Sequence, residues 1–265
     1  MAEAFQGFRL AVGTLTIVRT GAPRNVTPRT IRAAVLWAPL IGAALGAIAG
    51  AVATLAYVGG HRTQLAALLG AAAAIVVLAA ATRALHLDGL ADTADGLGRS
   101  GPPDRALAVM KQSDIGPFGV IALVLTLLVQ VIALGSATID GHGWLAIGVA
   151  VAASRTAIAW ACIRAVPPAR PDGLGAAWAR ALPNWAPILL GAGVAVAAAV
   201  LGVVTTSGAS GRTAVDGVLA VVLGTAAALL LLARCITRLG GMTGDVIGAM
   251  VETCTTVALL AFAFG

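Results

Sequence analysis

Seven long apolar stretches dominate this sequence of 265 residues. A helix needs about 20 predominantly apolar residues to cross the hydrocarbon core of a bilayer. The stretches cover residues 33–58, 65–85, 116–135, 144–163, 186–206, 214–233 and 246–263. They predict an all-α protein, a polytopic transmembrane helical bundle of about seven spans. The alternating ten-residue segments of an outer-membrane β-barrel are absent from the sequence.

The connections between these stretches are too short for a separate soluble domain. We therefore expect a single integral membrane domain over residues 1–265. Within it, residues 1–32 are predicted to form a cytoplasmic or interfacial N-terminal segment. Residues 86–115, which are rich in acidic and basic side chains, are predicted to form a cytoplasmic active-site region. The charged fraction of 11% agrees with a membrane protein, because soluble domains average about 25%.

Basic residues predict the orientation of the bundle. Alternate connections hold most of the arginines, Arg24 among them, whereas the opposite loops carry only Arg62 and Arg212. Since basic loops stay in the cytoplasm, this bias predicts a cytoplasmic N-terminus in a cell inner membrane. It also accounts for the net charge of +6 without a nucleic-acid partner. The sequence leaves the oligomeric state open, a homo-oligomer included.

The segment HLDGLADTADGL, residues 86–97, contains Asp88, Asp92 and Asp95. In a helix, spacings of four and three place the three carboxylates within about 60° of one another on one face. Carboxylates held that close together repel, and a bound cation removes the repulsion. All-oxygen ligands favour Mg²⁺, Mn²⁺ or Ca²⁺ over zinc, and Mg²⁺ commonly bridges carboxylates and substrate phosphates. The spacing therefore predicts a cation site at the end of the second span.

A second acidic segment, LGGMTGDVIGAMVE, begins the last span. Asp245 and Glu252 are seven residues apart and share a helix face. We expect them to form a second acidic wall of the same site. The glycines of both acidic segments would let a ligand or another helix approach the backbone.

Cationic side chains follow the first acidic segment. Cations next to a carboxylate–metal cluster are suited to the oxygens of a diphosphate. An arginine inside a span is by default a functional candidate, with a carboxylate or phosphate as its partner. The candidate substrate-binding residues are Arg99, Arg105, Asp114, Arg155 within the fourth span, and Arg170 in the loop ARPDGLG. Lys111 is a candidate catalytic residue.

Several of these segments occur together in a known family. HLDGLADTADGL, the pattern R-x-L-x-V-M-K-x-S-x-I-G-x-x-G from Arg105 to Gly119, ARPDGLG and GGMTGDVIGA follow one another in the family's order. In this the chain resembles cobalamin synthase, also called adenosylcobinamide-GDP ribazoletransferase. The family often has an aspartate after its lysine, where this chain has Gln112.

The resemblance implies an integral membrane transferase of vitamin B12 biosynthesis. It would join adenosylcobinamide-GDP to α-ribazole, or to α-ribazole 5′-phosphate, and release GMP. Mg²⁺ is the implied cofactor, and the enzyme would lie in the lipid bilayer. Asp88, Asp92, Asp95 and Asp245 would be the metal ligands, and Gly244 would lie beside the substrate. Asp92 or Asp95 would also take part in catalysis by accepting a proton.

Two alternatives remain at this point. The acidic segment is similar to that of CDP-alcohol phosphotransferases of phospholipid synthesis, although the A-R that follows their D-G is missing here. A cation transporter is the alternative from another class, and it would need acidic groups near the bilayer midplane on several spans.

Overall fold

The computed structural model describes residues 2–21, 26–205 and 210–265. These residues form helices and connecting turns, and no β-strand occurs among them. Seven helices are long and apolar enough to cross a membrane, which confirms the predicted fold class. They are α2 (Pro28–Gly59), α3 (Gln64–Ala81), α6 (Pro117–Ile139), α7 (Gly143–Ala161), α9 (Ala186–Thr205), α10 (Ser210–Leu239) and α11 (Gly244–Phe264). Arg24, used above for the orientation, lies outside the described residues.

Four shorter helices complete the described part of the chain: α1 (Ala2–Leu15), α4 (Leu85–Gly98), α5 (Pro103–Val109) and α8 (Gly173–Trp178). α1 lies against α2, where the ring centroids of Phe8 and Trp37 are 5.3 Å apart. Thr27 caps α2, and the helix then continues through Pro39 without interruption. α7 occupies the centre of the bundle, in contact with α2, α9, α10 and α11.

The second apolar stretch ends earlier than its hydropathy suggests. α3 stops at Ala81, and the chain turns through Arg83 and Ala84, whose φ angles of 56° and 53° are left-handed. Few residues other than glycine adopt this conformation. The acidic segment therefore starts a separate helix, α4, instead of extending the span, and α4 packs between α6 and α11.

Candidate active site

Two glycines bring α4 and α11, the two acidic helices, together. A Cβ atom at Gly89 of α4 would lie 2.6 Å from the backbone oxygen of Asp245, and a Cβ at Gly248 of α11 would lie 3.1 Å from the Cα of His86. Only the absence of a side chain at these positions permits so close an approach. The packing places Asp88 and Asp92 of α4 beside the first turn of α11.

The carboxylates of the two helices repel one another. The pKa of Asp92 is raised from its ordinary value of 3.8 to about 6, firstly because burial penalises the charged form. Asp88, Asp245 and Asp95 raise it further, in that order, and Arg170 partly offsets them. The four aspartates predicted as metal ligands thus share one electrostatic environment.

Asp95 differs from its neighbours. It is buried, at 5% exposure, and its Oδ2 accepts a hydrogen bond of 2.7 Å from the backbone N–H of Gly116. Gly116 is the N-cap of α6, so the carboxylate satisfies a helix-terminal amide and faces the positive end of the helix dipole. Asp95 consequently joins α4 to α6 in addition to any role in chemistry.

Thr243 positions Asp245. Its hydroxyl oxygen accepts the N–H of Val246 at 3.2 Å and so caps α11, while its hydroxyl donates to Oδ2 of Asp245, also at 3.2 Å. Thr243 was not among the predicted site residues. A threonine directly before a predicted helix is the usual sign of an N-cap and would have identified it.

The loop ARPDGLG is attached to the start of α11. The N–H of Ala169 donates to the backbone oxygen of Met242, and the N–H of Met242 donates to that of Pro167, both at 2.9 Å. Arg170 is thereby held near Asp92 and Asp245, and its Nη2 donates to the backbone oxygen of Leu107 at 2.7 Å. Nε of Arg170 is buried and has no hydrogen-bond partner among the described residues.

The basic segment after α4 is mostly exposed. Nζ of Lys111 lies 3.6 Å from Oδ2 of Asp172, which connects this segment to the ARPDGLG loop. The backbone oxygen of Arg99 accepts a hydrogen bond from Arg238. Arg105, on α5, and Asp114 are exposed as well. Arg99, Arg105 and Lys111 therefore lie on the exposed surface that follows α4.

Two cavities meet at the first turn of α11. One, of about 130 Å³, is lined by Arg170 and Asp172, and the other, of about 150 Å³, by Asp88. Gly244 and Asp245 line both. Asp245 thus lies between Arg170, which lines one cavity, and Asp88, which lines the other. A cation beside a carboxylate pair is an arrangement suited to a metal-bound diphosphate.

A divalent cation such as Mg²⁺ needs several oxygen ligands, and the carboxylates of α4 and α11 are the candidates. As the side chains are placed, no three Asp, Glu, His or Cys residues of the described ranges are arranged as a metal cluster. The chemistry fits nevertheless, because Asp88, Asp92 and Asp245 offer only oxygen ligands, and their mutual repulsion is the interaction that a bound cation would reverse. These three could hold Mg²⁺, and Asp95, of which only Oδ2 accepts the N–H of Gly116, stays a predicted fourth ligand.

Glu252 does not belong to the acidic wall, contrary to expectation. It lines a separate small cavity of about 20 Å³ inside the bundle, together with Arg155, Gln130 and His86. Oε2 of Glu252 accepts a hydrogen bond of 2.9 Å from Nε2 of Gln130. Glu252 and Asp245 do share a helix face, but they are about two turns apart along α11. Asp245 therefore lies at the end of the bundle and Glu252 in its interior.

Arg155 lies in the same interior cavity. It is 4% exposed, and its Nη1 donates to Oγ of Ser154 at 2.9 Å, while its Nε has no partner among the described residues. Glu252 is the opposite charge that acts on it most strongly. The cavity has room for a single water molecule, so this position favours a structural role. Binding of substrate by Arg155 stays a prediction.

Removing one member of this buried pair is expected to destabilise the protein strongly. Arg155→Met should lower the free energy of unfolding by about 3 kcal/mol, because Glu252 would be left without an opposite charge. The double variant Arg155→Met/Glu252→Met should recover most of that loss. Thermal unfolding in detergent measures both effects, and purely additive losses would contradict the coupling.

Comparisons with known proteins agree over nearly the whole chain. The family model described as cobalamin-5-phosphate synthase matches residues 7–263. An adenosylcobinamide-GDP ribazoletransferase of Frankia casuarinae is 42% identical over 262 residues, which cover 96% of this chain and 93% of that protein. Proteins of the same name from Nocardioides sp. and Bradyrhizobium diazoefficiens are 40% and 37% identical, covering 97% and 95% of this chain and 97% and 91% of theirs. No solved structure matches.

Proposed function

This chain belongs to the cobalamin-5-phosphate synthase family, and from that premise we propose how its acidic helices act on adenosylcobinamide-GDP. The chain is a multi-pass membrane transferase of cobalamin biosynthesis. It joins adenosylcobinamide-GDP to α-ribazole or its 5′-phosphate, with GMP as the leaving group. The observation that carries the proposal is the convergence of Asp88, Asp92, Asp245 and Arg170 at one end of the bundle.

Asp88, Asp92 and Asp245 would hold Mg²⁺ through carboxylate oxygens. When bound, the ion supplies positive charge that stabilises the phosphate oxygens of the donor and of the departing GMP. Arg170 lies on the other side of Asp245 and lines the 130 Å³ cavity, where its guanidinium group would contact a phosphate oxygen. Arg99, Arg105 and Lys111 supply further cations that can close over the diphosphate, with Asp114 beside them. Because Gly244 has no side chain, the first turn of α11 stays open to the diphosphate.

The reaction forms one P–O bond and breaks another. A ribose hydroxyl of the α-ribazole attacks the phosphorus attached to cobinamide, and the bond to the GMP phosphate breaks. The hydroxyl proton passes to a carboxylate, Asp92 or Asp95. Asp92 is favoured because its carboxylate is partly exposed, whereas Asp95 is buried and already accepts the N–H of Gly116. An aspartate that ligates a metal through one oxygen keeps the other for the proton.

We also propose that the bundle lies in the cell inner membrane with the acidic helices facing the cytoplasm. Support comes from the unequal distribution of arginines between alternate connections. This side is the one where a soluble nucleotide-linked donor would be available.

Neither alternative function is favoured. The family and the relatives are named for the cobalamin reaction, and not for phospholipid synthesis or transport. A cation path would need carboxylates near the bilayer midplane on several spans. Here the aspartates of α4 and Asp245 lie at one end of the bundle, Asp216 lies in the second turn of α10, and Glu252 is paired with Gln130.

Metal removal tests the proposal directly. The purified, detergent-solubilised protein is incubated with adenosylcobinamide-GDP and α-ribazole, and GMP and the cobalamin product are followed by mass spectrometry. Product is expected with Mg²⁺, less than about 1% of it with EDTA, and full recovery when excess Mg²⁺ is returned. A CDP-linked alcohol should give no product. Undiminished turnover in EDTA would overturn the metal assignment, and turnover of only the CDP-linked donor would overturn the proposed reaction.

A further inference from the structure

Another cavity lies between α1 and the turn that separates α3 from α4. Its volume is about 420 Å³, and Arg9, Arg19 and Arg83 line it. We call it the arginine pocket. Its other lining residues are neutral, and no carboxylate is among them. Three cations around one cavity without an acidic residue form a site of strong positive potential.

Two of the guanidinium groups are fixed in place. Nε and Nη2 of Arg9 donate to the backbone oxygen of Thr20 at 2.9 and 2.6 Å. Nη2 of Arg83 donates to the backbone oxygens of Gly13 and Thr14 at 3.1 and 3.4 Å. These acceptors are uncharged and leave other guanidinium N–H groups available. Neither arginine forms a salt bridge within the described ranges.

The position of Arg83 depends on an unfavourable backbone. Arg83 and the residue after it both have left-handed φ angles, which non-glycine residues rarely adopt and which persist only where the surroundings enforce them. This turn directs the side chain towards the end of α1. Such conformations cluster at ligand sites, where they hold a group in the geometry that binding requires.

The arginine pocket adjoins the acidic helices. Thr14 lines both the pocket and the 150 Å³ cavity that contains Asp88 and Asp245. A molecule anchored by a phosphate in the pocket could therefore extend a hydroxyl towards the carboxylates. Arg170 lies on the far side of Asp245, in the other cavity, where it would contact the donor diphosphate.

We propose that the arginine pocket binds a phosphate group other than the donor diphosphate. The source favoured by its position is the 5′-phosphate of the ribazole acceptor, and in this form the inference rests on the proposed function. The second source with the same chemistry is an anionic lipid headgroup, because Ile17 and Val18 on the lining are exposed.

Binding measurements test this without turnover. Full-length protein in detergent is titrated calorimetrically with α-ribazole 5′-phosphate and with α-ribazole, in the absence of corrinoid. The wild type is expected to bind the phosphorylated compound at least about tenfold more tightly. Arg19→Gln and Arg83→Gln should each remove most of this preference and raise KM for the phosphorylated acceptor about tenfold, with kcat and the KM for α-ribazole little changed. Arg19 is exposed, so its variant should fold normally.

Arg234→Gln, at an exposed arginine of α10 outside the pocket, is the matched control and should behave as the wild type. The lipid arm compares nanodiscs of phosphatidylcholine with nanodiscs that also contain phosphatidylglycerol. If the phosphate comes from lipid, phosphatidylglycerol raises the Tm of the wild type but not of the two pocket variants, and both acceptors bind alike. A wild type that shows neither a phosphate preference nor a lipid-dependent Tm overturns the inference.

The two proposals fail in different ways. Turnover of adenosylcobinamide-GDP without any effect of the pocket variants on phosphate or lipid binding would overturn only the arginine pocket. Phosphate binding that depends on Arg19 and Arg83, in a folded protein that releases no GMP, would overturn the proposed reaction and leave the pocket in place.

Discussion

Asp92→Asn is expected to lower kcat by at least about 10³-fold while the protein remains folded in the membrane. Asparagine keeps the size of the side chain but removes the negative charge that would bind the metal and accept the proton. The loss of either function of an active-site carboxylate commonly costs several orders of magnitude in rate. Turnover is measured with saturating Mg²⁺, and the folded state is checked by size-exclusion chromatography in detergent.

The same substitution should stabilise the metal-free protein. The pKa of Asp92 in the folded state, about 6, lies above its ordinary value of 3.8. The folded state therefore binds this proton more tightly than the unfolded state, and the free energy of unfolding falls as pH rises from about 4 to about 6. Above pH 6 the full cost remains, about 1 kcal/mol once partial exposure is allowed for. Asp92→Asn should remove this cost and raise Tm in EDTA at pH 7.

Asp140→Asn is the control for both measurements. Asp140 is exposed and follows the last residue of α6, at the end of that helix opposite to Gly116. Its variant should keep wild-type turnover and Tm. Wild-type rates in Asp92→Asn would overturn the role of this aspartate, and a lower Tm in EDTA would contradict the repulsion inferred for the acidic helices.

Gly89→Ala is expected to reduce turnover by about 100-fold. The added Cβ would lie 2.6 Å from the backbone oxygen of Asp245 and 3.0 Å from its Cα, and neither atom can rotate out of the way. α4 and α11 would have to separate, and the carboxylates that bind one cation would move apart. A displacement of about 1 Å at reacting groups is enough for an effect of this size. Overpacking should also lower the free energy of unfolding by about 1–3 kcal/mol.

Gly191→Ala is the matched control. Gly191 lies within α9, where an added Cβ meets no atom within 4 Å. Alanine there should leave turnover unchanged and raise stability by up to about 1 kcal/mol, because it favours helix more than glycine does. Equal effects of the two substitutions on activity would show that helix propensity matters and the close approach of α4 to α11 does not.

The sequence predicts the seven spans because membrane insertion imposes a length and a polarity that each segment must satisfy on its own. It also predicts that Asp88, Asp92 and Asp95 share a helix, since this depends only on local periodicity. The break before that helix was not predicted. Its left-handed residues are an arginine and an alanine, and neither residue type indicates such a turn.

Side-chain contacts between different helices of the bundle were not predicted from the sequence. Nothing in the local sequence shows that Asp95 accepts the N–H of Gly116, or that Glu252 pairs with Gln130, because both contacts join residues far apart in the chain. The arginines of the N-terminal segment were used only to predict orientation. Arg9 and Arg19 also line a cavity together with Arg83, and this depends on the packing of α1 beside the turn after α3.

The acidic helices also determine when the protein can become active during its synthesis. α4 emerges from the ribosome early, whereas α11 is the last helix of the chain. Until α11 inserts and its Gly248 meets Gly89, the aspartates of α4 lack Asp245. A nascent or truncated chain would thus expose carboxylates at the membrane without assembling a site. Assembly of the proposed site would therefore wait for insertion of α11, and a chain that stops before α11 would leave the corrinoid donor unused.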